Sequence, residues 1–122
     1  MAINLLIADD SNIIRSAIGR ALSKCNINVV ATASNGEEAI EAFKRTQPDL
    51  VTMDLTMPKM DGIETIRSLR KINTKAHILV VSALADKATA IQALKEGAQG
   101  FLYKPFKETE LIEAIEEILG GQ

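Results

Sequence analysis

Aromatic side chains are scarce in this chain. It has no Trp, one Tyr and three Phe, so a core has to be assembled from Ile, Leu, Val, Ala and Met. One cysteine, Cys25, leaves no partner for an intrachain disulfide and fits a reducing compartment. It falls near the end of the first helical pattern, where a small boundary residue is expected rather than a redox centre. Neither sign of charge dominates. A net charge of −2 without a basic stripe excludes the electrostatic footprint of a nucleic-acid binder. No apolar run approaches the ~20 residues of a membrane span. The apolar start is interrupted at Asn4 and has no basic n-region, which argues against a signal peptide. A cytoplasmic protein with no membrane contact is the expectation. Linkers and low-complexity stretches are missing too, so residues 1–122 are expected to form one domain.

Aliphatic runs are plentiful and regularly spaced. Five look like strands, at Ile3–Ala8, Ile27–Ala33, Asp49–Asp54, His77–Ser82 and Gly100–Lys104. Several are continuous and rich in β-branched residues rather than alternating, as strands covered on both faces are. Helical patterns lie between them. The first sets Ile13, Ile14, Ala17, Ile18, Ala21 and Leu22 on one face, and the last does the same with Leu111, Ile112, Ile115, Ile118 and Leu119. Three more cover residues 35–46, 62–72 and 86–97. Asn35-Gly36 and Asp61-Gly62 precede the second and third helices, and Gly97 falls where the fourth should stop. Strict βα alternation implies an α/β fold, a parallel sheet with helices on both faces joined by right-handed crossovers.

In such a sheet the functional edge lies at the carboxyl ends of the strands. The first strand ends in Asp9-Asp10, the third in Asp54, the fourth in Ser82 and the fifth in Lys104, which places them all on that edge. Asp10-Ser11 alone reads equally well as a helix cap. Capping does not account for three converging carboxylates, because two like charges at ~4 Å repel by about 4 kcal/mol at an effective dielectric near 20. A cation or shared protons must hold them. Oxygen ligands with no His or Cys nearby point to Mg2+ or another hard divalent ion. Lys104 either neutralises the cluster or receives a phosphoryl group, and Ser82 offers a hydroxyl donor. An aspartate nucleophile, a divalent ion, a cation and a hydroxyl are the parts for forming an aspartyl phosphate.

These residues in this order resemble the receiver-domain family of two-component signalling, along the whole chain. The matching segments are Ala8-Asp9-Asp10-Ser11, Met53-Asp54-Leu55-Thr56-Met57-Pro58 with Met60-Asp61-Gly62, Val81-Ser82-Ala83 and Lys104-Pro105-Phe106. The resemblance implies a flavodoxin-like (βα)5 fold with strand order 2-1-3-4-5. It implies Asp54 as phosphoacceptor, Mg2+ on Asp10, Asp54 and the carbonyl of Thr56, and Asp9 acting through water. It also implies a cis Lys104–Pro105 peptide and Phe101 as an aromatic switch partner of Ser82; packing in a buried strand is the other reading of Phe101. A histidine kinase would donate the phosphoryl group, and a partner would read the face of helix 4, strand 5 and helix 5. Thr56 and Leu84 fall where the family tunes phosphate lifetime, and the apolar Leu84 favours slow decay. The chain is expected to be a signalling switch, monomeric and acting by protein contact. A receiver excised from a DNA-binding or methylesterase regulator, and a phosphorelay carrier, are the alternatives.

Other residues invite weaker readings. His77, the one histidine, starts the fourth strand far from the acidic edge, and a solvated or capping role is expected there. Glu108, Glu110, Glu113, Glu116 and Glu117 read as the solvated face of the last helix, and Met57 and Met60 as loop packing. A haloacid-dehalogenase-type phosphatase would need Asp-x-Asp on the first strand. Here the acids are adjacent, and the best nucleophile lies on the third strand.

Overall fold

The computed structural model describes residues 2–59, 61–83 and 87–120. Strands β1 (Ile3–Ala8), β2 (Ile27–Ala33), β3 (Leu50–Met53), β4 (His77–Ser82) and β5 (Gly100–Tyr103) alternate with helices α1 (Asn12–Ser23), α2 (Gly36–Thr46), α3 (Gly62–Ile72), α4 (Lys87–Glu96) and α5 (Glu108–Gly120). The strands form one sheet in the order β2-β1-β3-β4-β5, parallel at every pairing. This is the flavodoxin-like arrangement, with the order reversing between β1 and β3.

Alternation along the central strands divides the core into two layers. Leu6, Ala8, Val51, Met53, Ile78 and Val80 face Ala39, Phe43, Ile63, Ile66, Leu69 and Ala93 of α2, α3 and α4. Leu5, Ile7, Leu50, Leu79 and Val81 face Ile18, Leu22, Leu111 and Ile115 of α1 and α5. Strands apolar on both sides therefore read as unbroken aliphatic runs.

Caps define where the helices begin. The Ser11 hydroxyl accepts from the Ile14 amide, the Asn35 side chain from the Glu38 amide, and the Asp61 side chain from the Ile63 amide. Glu38 reaches back to the amide and hydroxyl of Ser34, and these bonds hold its carboxyl below the usual range. At the other end of α2, Gln47 turns left-handed and donates its amide to the Phe43 carbonyl.

Three expectations shift. Asp54 and Lys104 lie just beyond the ends of β3 and β5 rather than within them. Asp10 is exposed and leaves the capping of α1 to Ser11 alone. Ile13 is 79% exposed; at 100° per residue it lies about 140° round the helix from Ile18, off the buried stripe. Cys25 is half-buried beyond α1, packed against the layer under α1 and α5, the lower one, the upper being that under α2, α3 and α4. His77 is also half-buried, its Nδ1 3.0 Å from Gln99 Oε1 in an exposed bond across the start of the sheet. Met57 packs into the upper layer, whereas Met60 lies outside the described residues.

Candidate functional site

Parallel pairing carries the ends of four strands to one edge. Backbone bonds extend the ladders one step beyond the strands: Asp9 N to Ala33 O, Asp54 N to Ala8 O and Lys104 N to Ser82 O, each 2.9 Å. Asp9, Asp54, Ser82 and Lys104 are thus held by backbone, not by the length of flexible side chains.

One oxygen each from Asp9, Asp10 and Asp54 lies within 4.8 Å of the others. Asp9 and Asp54 are buried, while Asp10 is exposed at the rim. The Lys104 Nζ bridges the buried pair, 2.7 Å from Asp9 Oδ2 and 3.3 Å from Asp54 Oδ2. Burial alone would lower its pKa, but the hydrogen bond it donates to Asp9 and the charges of Asp54 and Asp9 outweigh it and raise the pKa above 10.5. Lys104 stays an ammonium. The other Asp9 oxygen accepts the Ser11 amide at 2.9 Å.

Asp54 is surrounded by donors. Oδ1 accepts from the Ser82 hydroxyl at 3.0 Å, the Thr56 amide at 3.1 Å and the Thr56 hydroxyl at 3.0 Å. Oδ2 accepts from the Thr56 hydroxyl at 3.1 Å and from Lys104. Ser82 is fully buried, so its hydroxyl is aimed by the strand. Such a carboxylate is fixed in orientation by its donors.

Three carboxylates against one ammonium leave a local surplus of negative charge. The donor set is all oxygen, with the exposed Asp10 opening it to solvent; it fits a hard divalent cation. Thr56 meets Asp54 through its amide and hydroxyl, at a rim position where its carbonyl remains a candidate ligand.

Phe101 is half-buried against the upper layer, with its ring centroid 4.8 Å from that of Tyr103, which is 44% exposed. The Lys104–Pro105 peptide is cis. Leu84, the other residue expected to tune phosphate lifetime, lies outside the described residues.

Two residues escaped the sequence reading. Arg15, on the first turn of α1, donates Nη1 to the Asp9 carbonyl at 2.6 Å and Nη2 to the Asn12 side chain, tying down the turn that carries the acidic pair. Its position one turn along the helix from Asn12, among residues of no motif, was the only signal. Thr52 lies two residues before Asp54 and fully buried, and its hydroxyl has no hydrogen-bond partner among the described residues. Threonine in a strand is unremarkable, so nothing in the sequence marked it.

Known proteins are similar along nearly the whole chain. A family model described as the response regulator receiver domain matches residues 5–116. The chemotaxis protein CheY of Bacillus subtilis is 42% identical over 119 residues, covering 98% of this chain and 99% of that one. CheY of Thermotoga maritima is 40% identical over 118 residues, covering 97% and 98%. Among solved structures, the complex of CheX, CheY, BeF3 and Mg2+ from Borrelia burgdorferi matches with a TM-score of 0.92 at 30% identity, over 96% of this chain and 89% of that one.

Proposed function

This chain belongs to the response regulator receiver family, and on that premise we propose that it takes a phosphoryl group from a histidine kinase onto Asp54 and thereby switches a protein-binding surface. As a receiver it is a signalling switch rather than an enzyme that turns over a substrate. Residues 1–122 then act as one receiver domain. Near-complete coverage of both chains in the chemotaxis relatives supports a chemotaxis-type regulator; on this reading it works in the cytoplasm as a monomer, through protein contact.

The observation that carries the reading is the set of groups on Asp54. A buried carboxylate has a buried hydroxyl on one oxygen and an ammonium on the other, with two further carboxylates within 4.8 Å. In the transfer, an Asp54 oxygen forms a bond to phosphorus as the bond from phosphorus to the donor imidazole nitrogen breaks. The imidazole leaves with the electron pair. Asp10, Asp54 and the Thr56 carbonyl, with Asp9 acting through water, would hold Mg2+, which would supply positive charge to the phosphoryl oxygens. Lys104 moves its ammonium from the Asp54 oxygen to a phosphoryl oxygen, and Ser82 does the same with its hydroxyl. Ser82 ends β4 and pairs with Tyr103 of β5. Phe101, on the neighbouring strand, follows, and the face of α4, β5 and α5 changes for a partner. Phosphorylation here biases an equilibrium between two arrangements. The exposed Ile91, Leu94 and Tyr103 on that face supply apolar contact area.

The test is intact mass after incubation with acetyl phosphate and Mg2+, beside an Asp54→Ala control. A gain of one phosphoryl group that needs Mg2+ and is absent in the control is the expected result. An equal gain in the control would end the assignment to Asp54.

A further inference from the structure

Among the helices, α4 has the thinnest apolar footing. Only Ala90 and Ala93 of its ten residues are buried, whereas α3 buries Gly62, Ile63, Thr65, Ile66 and Leu69. Two alanines remove little apolar surface from water compared with isoleucines and leucines. Something else must set where α4 sits.

Its carboxyl-terminal end is where polar contacts concentrate. Gly97 donates its amide to the Leu94 carbonyl at 3.2 Å and Ala98 to the Ala93 carbonyl at 3.0 Å, the paired bonds of a Schellman turn. Gly97 has φ +126°, which glycine alone adopts without strain. Its carbonyl then points at α3, where Arg70 donates both Nε at 3.0 Å and Nη2 at 2.8 Å to it. The third guanidinium nitrogen, Nη1, donates to the Asn73 carbonyl at 3.3 Å, so one side chain caps the ends of two helices. The approach is so close that a Cβ on Gly97 would lie 2.5 Å from Arg70 Cγ. One turn back along α3, Arg67 makes a two-point contact with Glu96, Nε to Oε1 at 3.0 Å and Nη2 to Oε2 at 3.1 Å. Arginines three apart on one helix thus hold two consecutive residues at the end of the other. Fork geometry of this kind fixes direction as well as distance, which a lysine does not do.

We propose that Arg67 and Arg70 are positioning residues for the partner-binding face: they anchor the carboxyl-terminal end of α4 to α3 and so set the placement of Ile91 and Leu94. Neither arginine belongs to that face. That the face receives a partner rests on the function proposed above; the anchoring does not. The arginines hold the ends of α3 and α4, and the chemistry at Asp54 proceeds without them.

Hydrogen–deuterium exchange, followed residue by residue on the full chain without any phosphodonor, tests the anchor. Charge-assisted bonds of this type correspond to about tenfold or more in a local opening equilibrium. Arg70→Met is therefore expected to speed exchange of the amides of residues 92–98 by about tenfold, with those of α1 and β3 unchanged. Glu96→Arg should speed the same amides, and the charge-swapped pair Arg67→Glu with Glu96→Arg should restore part of the protection, which a purely space-filling role would not do. Phosphoryl uptake from acetyl phosphate is expected to stay within about twofold of wild type in Arg70→Met, each tenfold being 1.4 kcal/mol. Unchanged exchange at 92–98, or an equal rise in every element, would overturn the anchor. Loss of phosphoryl uptake in the wild-type chain would instead overturn the phosphorylation reading and leave the exchange result standing.

Discussion

The Lys104 ammonium lies between two buried carboxylates, 2.7 Å from Asp9 and 3.3 Å from Asp54, in a place where burial alone would favour the neutral amine. Because its folded pKa is raised above 10.5, it contributes stability that is fully present below that pH and is lost as pH rises through the folded value. Urea unfolding without divalent ions is expected to show wild-type stability level from pH 7 to about 10 and declining above, on this linkage. Lys104→Met should start about 3 kcal/mol lower at pH 7, since it leaves buried carboxylates unpaired. The difference between the two proteins should shrink as pH passes 10.5, and a constant difference would show that Lys104 is not the group titrating. These partners were legible in the sequence for a geometric reason. Parallel strands finish at one edge, so residues that end strands in the chain meet in space. Arg15 was not, because its contact is with the backbone carbonyl of Asp9. Any residue type can present a carbonyl, and no pattern of side chains announces which one will be taken.

Between residue and fold, α3 shows how an element is seated by one small residue. At Gly62 an added Cβ would lie 2.6 Å from the Cα of Leu55, next in the chain to Asp54. Backbone, not a flexible side chain, occupies that space. Gly62→Ala is accordingly expected to lower stability by about 1–3 kcal/mol, as overpacking does. Denaturant titration measures it, and a change below about 0.5 kcal/mol, the range of ordinary surface substitutions, would mean the loop yields. The helix itself was readable from its period and from Asp61-Gly62. Its closeness to Leu55 was not, since the same dipeptide opens many turns. The same limit explains Ile13, which looked like part of the α1 stripe by identity but lies on the solvent side by angle. Strand ends behaved similarly: β3 and β5 were located by their aliphatic runs, while Asp54 and Lys104 continue the hydrogen-bond ladder without belonging to the strands. Apolar periodicity reports the face of an element well and its last residue poorly.

On the scale of the molecule, the acidic edge is a source of instability that a bound cation would relieve. Three carboxylates meet one ammonium there, whereas the remaining charge is spread over a chain of net −2. A cation bound at that edge lowers the free energy of the folded state only, by about 2.7 kcal/mol at a hundredfold excess over its dissociation constant. Raising Mg2+ is therefore expected to lift the thermal midpoint of the wild-type chain, with little lift in Asp10→Ala. Equal lifts in both, followed by scanning calorimetry, would place the ion elsewhere. Two layers share one sheet, and they draw on different parts of the chain. The upper is closed by α2, α3 and α4, consecutive helices of the middle. The lower is closed by α1 and α5, the first helix and the last. On a ribosome this difference becomes one of time. Leu5, Ile7 and Leu50 leave the exit tunnel early, yet half their cover, Leu111 and Ile115, is translated some sixty codons or more after Leu50. Until those residues are made, Leu5, Ile7 and Leu50 lack half of their native cover, and incompletely covered apolar surface of this kind is prone to aggregate.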